Sequence, residues 1–190
     1  MKRLIYNMDH AESYLKDLQQ ALAGLDLAMV YRVREVLDVA RGTGKQIFVC
    51  GNGGSSSTAS HMANDLGKGA SQFGGAPFKI TALTDNVAWM TALANDMSYE
   101  DVFVEQLRNF ASVGDVLIAI SGSGNSPNVL KAVELANEWG LTTVGWTGFD
   151  GGRLATIVDL SIVVGSHHMG RVEDVHVILM HLVCYYFMET

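Results

Sequence analysis

Charged side chains make up only 17% of the 190 residues, against roughly a quarter of an average soluble domain. Cations are the scarcer sign, 13 Lys and Arg against 20 Asp and Glu, for a formal net charge of -7. A field of that sign repels polyanions, which argues against nucleic acid or an anionic membrane surface as a partner. Any phosphate must then be held mostly by neutral groups. Two cysteines, Cys50 and Cys184, match neither a disulfide framework nor a thiolate metal signature, and read as small buried hydrophobes. Long apolar runs are absent as well: residues 116–120 and 177–184, the latter interrupted by His181, fall far short of the roughly 20 residues that span a bilayer. Near the start of the chain Asp9, His10 and Glu12 interrupt the sequence before an apolar signal core can form, so a cytoplasmic location is expected.

Proline occurs twice and glycine 20 times, and the glycines punctuate a regular alternation. Residues 8–43 carry apolar positions at three- and four-residue spacing, which predicts two amphipathic helices joined near Gly24. Residues 46–50 then form a short apolar run ending in a Gly-rich turn, the pattern of a strand buried on both faces. Further strands are expected at 78–83, 115–120, 142–146 and 160–164, separated by helical segments at 55–69, 86–112 and 126–139, with a last helix at 172–188. Such alternation implies right-handed crossovers and an α/β fold with a doubly wound five-stranded parallel sheet flanked by helices. The economical division is one domain over 1–190, with N-terminal helices in 1–44 and an α/β core in 45–190.

Two turns stand out. Gly51-Asn52-Gly53-Gly54-Ser55 and Ser121-Gly122-Ser123-Gly124-Asn125-Ser126 each lie between an expected strand and an expected helix. Glycine allows the backbone to bend or to approach a ligand, and the free N–H groups at a helix start favour an anion. Ser126 suits an N-cap and Pro127 the first helical position. Neither turn is a P-loop, since no Gly-Lys-Ser/Thr follows, and neither fits the dinucleotide spacing. In doubly wound sheets ligands bind beyond the strand C-termini where the strand order reverses, so two such turns together predict a phosphorylated small molecule.

His61 and Asp65 are four apart on one helix and share a face. Glu173 and His181, eight apart on the last helix, lie on roughly one side. Two His and two carboxylates from two helices are the right number and type for a tetrahedral zinc site. Either pair taken alone is equally a local hydrogen bond or a packed histidine. The aromatic Trp89, Trp146 and Phe149 fit a core role better than a pocket wall.

The ordered set from Cys50 to Ser55, His61-Met62-Ala63, Ala94-Asn95-Asp96, Ile120 to Ser126, Thr147 to Gly152 and Arg171 to His176 resembles the sugar isomerase (SIS) domain family, and more narrowly its phosphoheptose isomerases, over almost the whole chain. The resemblance implies a flavodoxin-like SIS fold. It also implies an aldose-ketose isomerase that converts sedoheptulose 7-phosphate to a heptose 7-phosphate, the first step of nucleotide-activated heptose biosynthesis for lipopolysaccharide or capsule. A homotetramer with active sites at subunit contacts and one zinc per site comes with it. Carried over by position, the metal ligands are His61, Asp65, Glu173 and His181, with Asp65 and His181 as acid and base. Substrate contacts fall on Asn52, Gly53, Ser55, Lys68, Asp96, Ser121, Gly122, Ser123, Ser126 and Glu173.

Four positions depart from the family pattern. Asp65 stands for a Glu, Glu173 for a Gln, Asn64 for a second Glu, and Gly170 for an Asp. Two rivals also follow from the resemblance. One is a non-enzymatic SIS tetramer that binds a replication-initiator protein, a group that departs from the isomerases at the positions of Gly54 and His181, both retained here. The other is an SIS isomerase for a different sugar phosphate.

Overall fold

The computed structural model describes residues 8–189. The reading of the N-terminus as lacking a signal core therefore falls largely outside the described residues. Helices α1 (Met8–Ala23) and α2 (Leu27–Thr43) precede β1 (Gln46–Gly51). Asp26 caps α2 by accepting from the Met29 N–H at 3.1 Å, and Gly44, at φ 67°, closes it in the left-handed conformation that glycine adopts at little cost. Between the caps α2 buries Val30, Val33, Leu37 and Ala40, one helical stripe turned to the sheet.

The chain then continues through α3 (Gly54–Asn64), β2 (Lys79–Ala82), α4 (Val87–Asp96), α5 (Val104–Phe110) and β3 (Val116–Ile120). After these come α6 (Pro127–Glu138), β4 (Thr142–Gly148), α7 (Leu154–Ile157), β5 (Leu160–Val164) and α8 (Met169–Glu189). All strand pairs are parallel in the order β2-β1-β3-β4-β5. This is the doubly wound sheet expected from the alternation, and the order reverses between β1 and β3. One apolar layer packs α2, α3 and α8 on one face, around Leu37, Met62, Trp146 and Leu179. The other packs α5, α6 and α7 on the opposite face, around Phe48, Phe103, Leu117 and Val133.

Three segments differ from the pattern expected from sequence. Residues 86–112 are not one helix but α4 and α5, separated by a 3-10 turn at Tyr99–Asp101. The segment expected as one helix over 55–69 leaves α-geometry at Asp65 for one π-helical turn, Asp65–Gly69, which holds Gly67 and Gly69, the weakest helix formers after proline. The short α7 has no counterpart in the pattern.

Trp146 is fully buried, as the core role expected, while Trp89 is half-buried against Phe110 and Phe149 sits at φ 54° beside His167. Cys50 and Cys184 are buried free thiols, and desolvation pushes the Cys50 thiol up to about 12.

His176 is also buried, 1% exposed, with Nε2 3.2 Å from the Thr147 carbonyl and, among the described residues, no partner for Nδ1. Desolvation holds its pKa down at about 4, from an ordinary 6.5. The ring is therefore neutral when folded but takes a proton in the unfolded chain below pH 6.5. Its contribution to stability is complete above pH 6.5 and is lost as the pH falls toward 4. We expect thermal melting between pH 7 and 4 to show this slope, and His176→Gln to flatten it. An unchanged slope in the variant would contradict the assignment.

Candidate active site

The two Gly- and Ser-rich turns leave the C-terminal ends of β1 and β3, on either side of the point where the strand order reverses. Between them lies a cleft of about 150 Å³ lined by Asn52, Ser55, Ser121, Ser123, Ser126 and Glu173. Gly122 lines it as well, whereas Gly53 stands at its rim, exposed, at φ 55° as the N-cap position of α3.

Neither helix start uses a side chain to cap itself. Ser126 does occupy the N-cap position, with Pro127 following in the first turn, but its hydroxyl accepts from Ser121 Oγ at 3.1 Å instead of capping the helix. The capping role expected for its side chain is not observed, because that oxygen is turned to the cleft. Four serines and Asn52 supply its neutral polar side chains beside two helix starts, and among the described residues no Lys or Arg lines it.

The second turn is tied into the fold by backbone contacts. Leu154 N–H donates to the Gly124 carbonyl at 2.8 Å, Gly148 N–H to Gly122 at 2.9 Å, and Arg153 N–H to Asn125 Oδ1 at 3.0 Å. Gly124 has φ 66°, and a methyl there would overlap the Gly151 carbonyl oxygen.

A second group lies farther along the same two helices. Ligand atoms of His61, Asp65 and His181 are all within 4.8 Å of one another. His61 Nε2 is 3.4 Å from Asp65 Oδ2, and Asn64 Nδ2 donates to Asp65 Oδ1 at 3.0 Å, so each carboxylate oxygen has a partner. Asn64, where the family pattern has an acid, thus holds Asp65. The His61 and His181 rings meet edge to face at 5.0 Å. The Asp65 side chain is 13% exposed and the His61 side chain 44%. Two imidazoles and a carboxylate form a donor set that suits a divalent metal ion with coordination positions left open.

The four-ligand set expected from sequence is not brought together. Glu173 stands two turns before His181, about 12 Å along α8 at 1.5 Å per residue. It lines the cleft between the turns, where its carboxylate atoms lie 2.8 to 2.9 Å from the point that a Cβ on Gly54 would occupy. Glu173 is therefore apart from the metal-type group and within the candidate substrate cleft. Lys68 and Asp96, also expected at the substrate, are exposed and do not line that cleft.

Gly170 packs where a Cβ would meet the Tyr14 hydroxyl at 3.0 Å. Around it Tyr14 donates to Asp174 at 2.6 Å, and Arg171 pairs with Asp17 at 2.8 Å while lying over the Tyr14 ring. These contacts dock α1 on α8, and the bond to Asp174 raises the Tyr14 pKa. Asn128 and Tyr99, which contact Asn52, went unnoticed in the sequence. Asn128 sits behind Pro127 in the first turn of a helix and Tyr99 at the start of a single 3-10 turn, so no spacing rule marks either.

Residues 13–148 match the SIS domain family. The chain belongs to the SIS domain family. It is 36% identical over 167 residues, 88% of its own length and 86% of the relative's, to a protein from Helicobacter pylori named phosphoheptose isomerase. The solved phosphoheptose isomerase from Neisseria gonorrhoeae superposes with a TM-score of 0.85 at 30% identity, covering 96% of each chain. That from Francisella tularensis gives 0.89 at 26%, covering 96% of this SIS chain and 98% of its own. The flavodoxin-like SIS fold expected from the sequence is therefore the fold observed.

The packing predicts where this SIS domain tolerates no change. Gly124→Ala combines a left-handed backbone with a backbone overlap and is expected to lower stability by about 3 kcal/mol or more. Gly53→Ala, at φ 55° and ψ -122° but with no described atom within contact of its Cβ position, carries the backbone strain without the overlap and is expected to cost less, about 2 kcal/mol. Chemical denaturation of both variants checks the ranking, and equal losses would contradict it.

Proposed function

We propose that the chain is an aldose-ketose isomerase that converts sedoheptulose 7-phosphate to a heptose 7-phosphate, the entry step to nucleotide-activated heptoses for lipopolysaccharide or capsule. The observation that carries this reading is that α3 and α8 each reach both the serine-lined cleft and the His61-Asp65-His181 group. From Ser55 to His61 is about 9 Å along α3, and from Glu173 to His181 about 12 Å along α8. An open-chain seven-carbon phosphate bridges such a span, with its phosphate in the cleft and its carbonyl end at the group.

In this reading Ser55, Ser121, Ser123 and Ser126, together with the backbone at Gly53 and Gly122, hold the phosphate. Binding energy far from the reacting carbons then fixes their position. Isomerisation moves a proton between C1 and C2 and another between O1 and O2. Asp65 takes a proton from C1 of the ketose, exchanges it with solvent at the enediol stage and delivers a proton to C2, and His181 moves the hydroxyl proton between O1 and O2. His61 and Asn64 keep the Asp65 carboxylate oriented. A zinc held by His61, Asp65 and His181 would polarise the sugar carbonyl and stabilise charge on its oxygen.

Glu173 lies among the phosphate-binding hydroxyls, where a carboxylate repels the phosphate and accepts from the sugar hydroxyl next to it. The single domain over 1–190 and the cytoplasmic location belong to the same reading; no helix among the described residues is long and apolar enough to cross a membrane.

Assembly as a homotetramer is part of the proposal. A groove of about 580 Å³ between α2 and α8 is lined by Leu27, Val30, Tyr31, Leu182 and Tyr185, and His181 opens onto it. Helix α4, rich in apolar residues, has none buried among the described residues, and Val87 is 66% exposed. Apolar surface of this extent supports contacts between copies. A second copy over the groove would close His181 from water, and Lys68 and Asp96 would serve sites formed at such contacts.

Turnover of sedoheptulose 7-phosphate is expected, with loss on chelation and recovery on adding zinc. Ser123→Ala should raise KM several-fold with kcat largely kept, whereas His181→Ala should abolish turnover while inorganic phosphate still binds. Full turnover by His181→Ala would overturn the assignment. Absence of turnover on any ketose phosphate, with stable capture of a replication-initiator protein, would favour the non-catalytic reading.

A further inference from the structure

Asn52 and Asn128 face each other across the seam between the first turn and the start of α6. Asn52 Nδ2 donates to Asn128 Oδ1 at 2.8 Å, and Asn128 Nδ2 donates back to Asn52 Oδ1 at 2.9 Å. A backbone donor sets which way round the amides stand, and a hydroxyl fills the remaining acceptor site. The Val129 N–H donates to Asn128 Oδ1 at 3.0 Å, and the Tyr99 hydroxyl donates to Asn52 Oδ1 at 3.0 Å.

A side-chain amide has two lone pairs on oxygen and two hydrogens on nitrogen. Both lone pairs of Asn52 Oδ1 are taken, by Asn128 and Tyr99, and one Nδ2 hydrogen is taken by Asn128. Among the described residues one N–H remains without a partner, and Asn52 lines the cleft. Asn128 is 2% exposed and does not line it, so it reaches a ligand only through Asn52. A free amide could rotate by half a turn and offer either its oxygen or its nitrogen at similar cost. Here rotation of Asn52 would set oxygen against oxygen and NH₂ against NH₂ at Asn128, and rotation of both amides together would leave the Val129 N–H, which can only donate, facing an NH₂ group.

We propose that Asn128 is a positioning residue which, with Tyr99, makes Asn52 a donor-only group whose remaining N–H is reserved for an acceptor oxygen of the phosphate ester in the cleft. The proposal deepens the sugar-phosphate reading and rests on the cleft being its phosphate-binding end. The pair also bridges the two turns, since Asn52 belongs to the first and Asn128 opens the helix that follows the second. The spacing of the hydroxyls contributed by each is thereby fixed.

The test is a double-mutant cycle on the full chain, with inorganic phosphate as the probe in isothermal titration and turnover of sedoheptulose 7-phosphate measured alongside. Asn128→Ala is expected to weaken phosphate binding about tenfold, the loss of roughly one hydrogen bond to a charged group. KM should rise by a similar factor, with kcat within about threefold of the unaltered chain. The double variant with Asn52→Ala should bind no more weakly than Asn52→Ala alone, because Asn128 acts through Asn52.

Tyr99→Phe, at an exposed position that the fold tolerates, should lose about two- to threefold, and it keeps the proposal falsifiable if Asn128→Ala does not fold. Asn52→Asp exchanges the donor for an acceptor and should lose phosphate binding almost entirely. Additive losses in the cycle, unchanged affinity in Asn128→Ala and in Tyr99→Phe, or full phosphate affinity in Asn52→Asp would each overturn the proposal. Failure of the unaltered chain to bind phosphate would overturn it too. Absence of turnover by the unaltered chain, with phosphate bound and a non-additive cycle, would instead reject the isomerase reading and leave the clamp standing.

Discussion

Gly51, the last residue of β1, has no room for a side chain: a Cβ there would lie 2.7 Å from the Ser55 Cβ and 2.8 Å from the carbonyl oxygen of Ile120, the last residue of β3. That close approach brings two loops that are 70 residues apart in sequence to one cleft. A parallel pair at the reversal point of the sheet sends its two loops to opposite faces, and a crevice opens between them. The serines on each side then face a common space, and the glycines that permit the approach leave N–H groups exposed to it. Gly122 and Gly148 continue the same packing, with Cβ positions that would collide with Met169 and Val172 of α8. The last helix therefore lies close against both loops and carries Glu173 and His181 into range.

The scarcity of cations follows from this arrangement. On the proposed reading, a chain with net charge -7 would hold an anion with hydroxyls, amide hydrogens and helix-start N–H groups, none of which needs a countercharge. Such donors are directional where a lysine is a point charge, and their directions are set by the surrounding bonds. The carboxylates of Asp65 and Glu173, only partly exposed, stand at two different levels of the same helix pair. One accepts a hydrogen bond from Asn64 and stands beside two imidazoles, and the other lies among the hydroxyls.

Much of this was legible in the sequence. The apolar runs of β1, β3, β4 and β5 and the helical stripe of α2 follow from periodicity, because burial on two faces or on one stripe dictates residue type directly. The two turns were legible because glycine and serine have few other reasons to recur after buried strands. Less visible was anything that depends on the distance between elements. Spacing placed Glu173 on the same side of α8 as His181, but rise along a helix separates them by two turns, and the loops that end at Gly54 take Glu173 into the cleft. The amide pair Asn52–Asn128 depends on tertiary contact alone and leaves no local pattern.

The central claim is that this architecture moves a proton between C1 and C2 of a ketose phosphate held by its far end. The most direct measurement follows the fate of that proton when the chain is incubated with sedoheptulose 7-phosphate in D₂O and the sugars are analysed by NMR. The account predicts interconversion with deuterium at C2 of the heptose product and at C1 of the recovered ketose, as an enediol intermediate requires. Absence of interconversion, or interconversion with all of the original hydrogen retained, would contradict it.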